Sequence, residues 1–255
     1  MDVAADLLNT FGWPTLVFLG LCALVTAAIH GATGIAGGFL MAAVLANVIG
    51  AKATVPVMSV ALLVSHTSRA LLNARSFNAR AFAIVAFAAV PATLVVAYLY
   101  VGMSSPLVAF VLGFILLGAI AMRRWARANA ITAGPKLLGA AGFGYGVLSG
   151  ASIGPGLFLS PFLLGFGLGR EAFVATLAVI ALMSNVLRVG VFAPTGLLPL
   201  DLTVLALGIG VLTIPGNWVG RTVLRAMSDA RHAALVDFLC LVGALNFFWL
   251  AFAES

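Results

Sequence analysis

Apolar residues run almost unbroken over 14–32, 36–50, 53–73, 80–101, 105–122, 136–149, 155–168, 172–193, 200–220 and 232–252. The gaps between these runs carry turn chemistry: a Gly-rich stretch at 31–38, Gly102 with Ser104-Ser105-Pro106, Gly134-Pro135, Gly154-Pro155-Gly156, and Pro194 to Pro199. A helix crosses ~30 Å of hydrocarbon with about 20 residues. The pattern therefore predicts an all-α polytopic membrane protein of eight to ten segments, with no stretch left for a soluble domain. The runs at 36–50 and 155–168 are about 14 residues long and reach roughly 21 Å. They read as short half-helices or re-entrant arms that follow Gly-rich breaks.

Composition agrees. Of the 255 residues, 63% are hydrophobic and 8% charged, and the mean hydropathy is +1.20. A soluble domain carries about 25% charged residues, so a soluble enzyme, a nucleic-acid module and a disordered chain are excluded. The net charge of +6 then reads as basic cytoplasmic loops rather than as affinity for nucleic acid. Nine of the 13 basic residues fall at 75–80, 123–136 and 221–231, while the loops at 102–105 and 193–201 have none. This sorting puts the three basic loops on the inner side of the cytoplasmic membrane and both termini on the outer side. Met1, Asp2 and Asp6 lack the basic start of a signal peptide, so no cleavage is expected. Cys22 and Cys240 lie inside apolar runs and read as packing residues; no Cys/His spacing suits a metal, and no cofactor is expected.

A shift of 119 residues aligns 31–69 with 150–188 at 13 of 39 positions, including Gly31/Gly150, Gly37/Gly156, Gly50/Gly169, Ser65/Ser184 and Arg69/Arg188. Apolar bias does not account for matched Gly, Ser and Arg. Each unit, 1–128 and 129–255, holds about five segments. An odd number per unit sets two tandem units in opposite orientations, the inverted-repeat plan of secondary transporters. The charge sorting agrees, because the loop after the third segment is inside in the first unit and outside in the second.

The two breaks read His30-Gly31-Ala32-Thr33-Gly34-Ile35-Ala36-Gly37-Gly38 and Ser149-Gly150-Ala151-Ser152-Ile153-Gly154-Pro155-Gly156. Non-helical backbone at membrane depth survives only where protein or water covers it. Glycine lets such backbone approach a ligand, and half-helix N-termini carry partial positive charge suited to an anion. Thr33, Ser149 and Ser152 add hydroxyls. Gly34, Gly37, Gly38, Gly154 and Gly156 are therefore candidate binding positions. The competing reading is close helix packing, because Gly34/Gly38 and Gly150/Gly154 have small-xxx-small spacing.

Charges inside the bilayer are expensive and point to function. Arg69 and Arg188 hold equivalent positions, each one turn after a serine, with His66 and Asn185 as equivalent polar neighbours. A guanidinium fork suits an oxyanion, and a snorkelling or structural role competes with that reading. Asn217 follows Pro215-Gly216 and either lines a pathway or satisfies a kink. His30, His66 and Asp237 are candidates for a coupling proton, against structural roles for His30 and local pairing with arginine for Asp237.

The two Gly-rich breaks, the short arms behind them, the Pro215-Gly216-Asn217-Trp218-Val219-Gly220 run and the chain length together resemble the sulfite exporter TauE/SafE family of membrane permeases. The resemblance covers nearly the whole chain. It implies a non-enzymatic transporter of a small sulfur-containing anion such as sulfite, a sulfonate or sulfoacetate. The expected partners are that anion, membrane lipid and a coupling proton or sodium ion, with a homodimer left open. A passive anion channel and a non-transport membrane assembly protein are the alternatives.

Overall fold

The computed structural model describes residues 3–33, 37–129, 131–225 and 229–253, and within them the fold is helical throughout. In chain order the helices are α1 (Val3–Thr33), α2 (Gly37–Ile49), α3 (Ala51–Leu72), α4 (Ala79–Val101), α5 (Ser105–Asn129), α6 (Pro135–Ala151), α7 (Gly156–Gly165), α8 (Arg170–Phe192), α9 (Leu200–Arg225) and α10 (Asp229–Ala253). Six of them, α1, α3, α4, α5, α8 and α10, are long and apolar enough to cross a bilayer. The protein is thus an all-α, polytopic membrane protein.

Every predicted run appears as a helix, and some boundaries have a clear local cause. Asn78 caps α4 by accepting from the Ala81 N–H at 2.9 Å. Pro135 opens α6, where its missing N–H costs nothing. The arms are short, with 13 residues in α2 and 10 in α7. The N-terminal region differs from expectation: residues 3–11 are also helical, and α1 bends at Gly12, whose φ of 71° breaks the helical path two residues before Pro14.

Helix pairing follows small residues. The main partners are α1 with α9, α4 with α6, α5 with α10, and α3 with α8, while α3 also packs on α9 and α8 on α4. Gly142, Gly146 and Gly150 recur every fourth residue along α6 and face the backbone or Cβ atoms of Val85, Ala89 and Val96 on α4. Across α1 and α9, Gly216 sits against Ala27 and the Leu24 carbonyl in the same manner. In lipid, where helices gain nothing by hiding apolar surface from one another, such close approach supplies the attraction. The outer faces carry large apolar side chains, Phe87, Leu71, Trp249 and Phe252 among them. These faces meet hydrocarbon, so their exposure needs no partner.

Candidate functional site

Both Gly-rich breaks end at one cavity of about 50 Å³. About 10–15 Å³ admits one water, so this space holds a few waters or one compact ion. From the first break come His30 and Gly38; from the second, Ser149, Ile153, Gly154, Pro155 and Gly156. α3 and α8 each supply a charge and its polar neighbour, His66 and Arg69 from α3, Asn185 and Arg188 from α8. Leu62, Leu177 and Ala181 form the apolar wall.

The second break is fully described, and its geometry has a local cause. α6 ends at Ala151, and α7 begins at Gly156. Between them Gly154 takes φ +82°, a left-handed conformation that a side chain resists. The N-terminal end of α7, with its partial positive charge, therefore opens on the cavity beside the start of α2, although the Leu157 and Phe158 N–H groups already donate to the Gly154 and Pro155 carbonyls. Gly37 and Gly38 divide their roles. Gly38 lines the cavity, whereas a Cβ on Gly37 would collide with the Thr26 carbonyl and His30, so Gly37 serves close packing of α2 on α1.

The two arginines are held differently. Arg188 is 2% exposed; its Nη1 donates to the Ser152 carbonyl at 2.5 Å, its Nη2 donates to Asn185 Oδ1, and its Nε is buried with no partner among the described residues. Arg69 is half-buried and meets His30, Nη1 to Nε2, at 2.8 Å. Neither guanidinium has a carboxylate partner among the described residues. Glu171 instead accepts from Ser76 at 3.3 Å, and Asp237 faces Arg123 at 3.5 Å and Arg124 at 3.4 Å. Two cationic groups thus flank a cavity with no acid among the described lining residues, which leaves it complementary to an anion.

Ser149 Oγ is buried in the cavity lining with the Tyr145 hydroxyl as its polar neighbour, and it has no close hydrogen-bond partner among the described residues. Ser152 does not line the cavity: its hydroxyl donates to the Leu148 carbonyl at 2.6 Å while its own carbonyl anchors Arg188. Asp237 lies away from the cavity, between α5 and α10. Gly34 and the side chains of Thr33 and Asn217 lie outside the described residues. Tyr145 is the lining residue that the sequence reading passed over. It stands one turn before Ser149 on α6, a spacing that offers a signal only once Ser149 is known to face a cavity.

Comparison with known proteins adds one finding. The family described as Sulfite exporter TauE/SafE matches residues 19–247. No curated protein and no solved structure matches the chain.

Proposed function

Because the chain belongs to the sulfite exporter TauE/SafE family of membrane transport proteins, we propose that it moves a small sulfur-containing oxyanion such as sulfite, a sulfonate or sulfoacetate by alternating access. The observation that carries this reading is the cavity where both breaks and both arginines converge without an acid. The positive N-terminal ends of α2 and α7, with the Gly156 N–H, the Ser149 and Tyr145 hydroxyls, and the guanidiniums of Arg69 and Arg188 hold the anion. The lining offers no carboxylate to receive the ammonium of a zwitterion. Thr33, Gly34 and Asn217 join the site as sequence-based candidates.

The moving parts are two inverted repeats, 1–128 and 129–255. Their support is the pairing of the most extensively packed helices, which is kept when each helix is exchanged for the one five places along. The pair α1 with α9 becomes α6 with α4, α3 with α9 becomes α8 with α4, and α5 with α10 and α3 with α8 map onto themselves. The sorting of basic loops supports an orientation in the cytoplasmic membrane with both termini outside.

Counterflow in proteoliposomes tests the function. Internal unlabelled sulfite is expected to drive saturable uptake of labelled sulfite, with sulfonates competing and acetate not. Equal competition by acetate would refute the substrate class, and flux that neither saturates nor shows counterflow would make the protein a channel.

Asp237 gives a separate check. Its carboxylate ties α5 to α10, and its partner Arg124 is 71% exposed, so the pair contributes about 1 kcal/mol or less. Asp237→Asn is expected to lower the unfolding temperature by a few degrees and leave sulfite counterflow within about twofold. Lost counterflow at an unchanged unfolding temperature would put Asp237 back among the coupling residues.

A further inference from the structure

One hydrogen bond in the cavity decides which nitrogen of His30 is basic. Arg69 Nη1 lies 2.8 Å from His30 Nε2. A guanidinium only donates, so Nε2 is the accepting nitrogen and the ring proton sits on Nδ1, which is buried without a partner among the described residues. The lone pair on Nε2 is therefore the basic site of the ring, and Arg69 covers it. Resting on the anion-transport reading, we propose that His30 carries the coupling proton and that the anion itself uncovers the site by drawing Arg69 away.

The exchange follows from the relative strengths of the bonds. A guanidinium can bond an oxyanion through a two-point fork with opposite charges on the partners, against a single bond to the uncharged imidazole, so an oxyanion in the cavity wins Arg69 from the imidazole. Nε2 is then open. One proton from water adds there, Nδ1–H stays in place, and the imidazolium sets its charge beside the anion. In the absence of the anion, the same proton would put a third cation next to two guanidiniums with no carboxylate to offset them. Anion and proton therefore load together and leave together.

The surroundings of His30 are compatible with this assignment. The charged and titratable groups facing it are Arg69 and His66 on α3, with the His66 ring centre 6.2 Å away, and Arg188 on α8 and Tyr145 on α6 across the cavity. α2 presents Gly37 and Gly38, and the described side chains of α9 bring Thr213 but nothing titratable. His66 differs from His30 in the feature that matters: among the described residues it makes no hydrogen bond that an anion would exchange.

The test is a proton count. Sulfite is titrated calorimetrically into detergent-purified protein at neutral pH in two buffers of different ionisation enthalpy. Subtracting variant from wild type cancels the proton exchange of sulfite itself. Wild type is expected to take up about one proton per anion more than His30→Gln, and His66→Gln to match wild type even where its affinity changes. A purely structural histidine would alter affinity and leave the count alone, so equal counts in wild type and His30→Gln overturn the proposal. Should His30→Gln not yield monodisperse protein, His66→Gln decides: an unchanged count supports His30, and loss of a proton overturns it. Failure of wild type to bind sulfite would remove the transport reading as well, and is distinguished from binding without the proton difference.

Discussion

Arg188→Gln is expected to weaken sulfite binding by about 10²- to 10⁴-fold and to abolish counterflow at substrate levels that saturate the wild type. Hydrogen bonds to charged groups contribute about 1.5–3 kcal/mol each, and a guanidinium offers a bound oxyanion two of them through a rigid fork. Losing both costs about 3–6 kcal/mol, and about 1.4 kcal/mol is tenfold in affinity. Arg188 is already placed by the Ser152 carbonyl and Asn185, and its buried Nε remains to be satisfied. The glutamine amide ends two bonds short of the guanidinium Nη atoms, so the Ser152 carbonyl loses its partner as well. Arg188→Lys retains the charge without the fork and should fall between wild type and Arg188→Gln, losing roughly tenfold. Calorimetric binding and counterflow read both variants. Near-normal affinity in Arg188→Gln would show that Arg188 is only a strut for the break.

The second large effect concerns folding. A Cβ on Gly146 would lie 2.5 Å from the Ala89 carbonyl oxygen and 2.8 Å from Ala89 Cα, both backbone atoms of α4. No rotamer change relieves a clash with backbone, so α6 must move off α4 and the Thr93 hydroxyl must release the Gly146 carbonyl, which it reaches at 3.3 Å. Overpacking of this kind costs about 1–3 kcal/mol, occasionally more, and Gly146→Ala is expected at the top of that range. Gly146→Leu is expected to yield no monodisperse protein. Gly190→Ala is the control: a Cβ there meets nothing within 4 Å, and the gain in helix propensity predicts an unchanged or slightly raised unfolding temperature. Thermal unfolding in detergent separates the three. Tolerance of Gly146→Leu would mean that α4 and α6 do not pack as closely as described.

The glycines show where sequence reading ran out. Gly34/Gly38 and Gly150/Gly154 offered the same spacing for a ligand site and for helix packing. Within the second break the two uses separate by residue: Gly150 packs on Val96, whereas Gly154 carries a positive φ at the cavity. In the first, Gly37 packs and Gly38 lines. Spacing alone does not distinguish them, because neighbouring glycines of one break point to different partners once helices are placed around them. Asp237 is a similar case. A lone intramembrane acid leaves a coupling group and a partner for arginine both open until Arg123 and Arg124, more than 100 positions earlier in the chain, are found beside it.

By itself, the sequence determined the helical segments, the two breaks with their short arms, the equivalence of Arg69 and Arg188, and the resemblance to the family. These are local properties: apolar run length is set by the solvent, and glycine and proline mark the breaks wherever they occur. Only the tertiary structure decided that both breaks and both arginines share one cavity, that Arg69 meets His30 while Arg188 meets Ser152 and Asn185, and that Tyr145 joins them. In a chain this apolar, nearly every face of every helix suits hydrocarbon, so polarity does not announce which faces meet. Close approach through small residues selects those faces, and it is a property of pairs of helices distant in sequence.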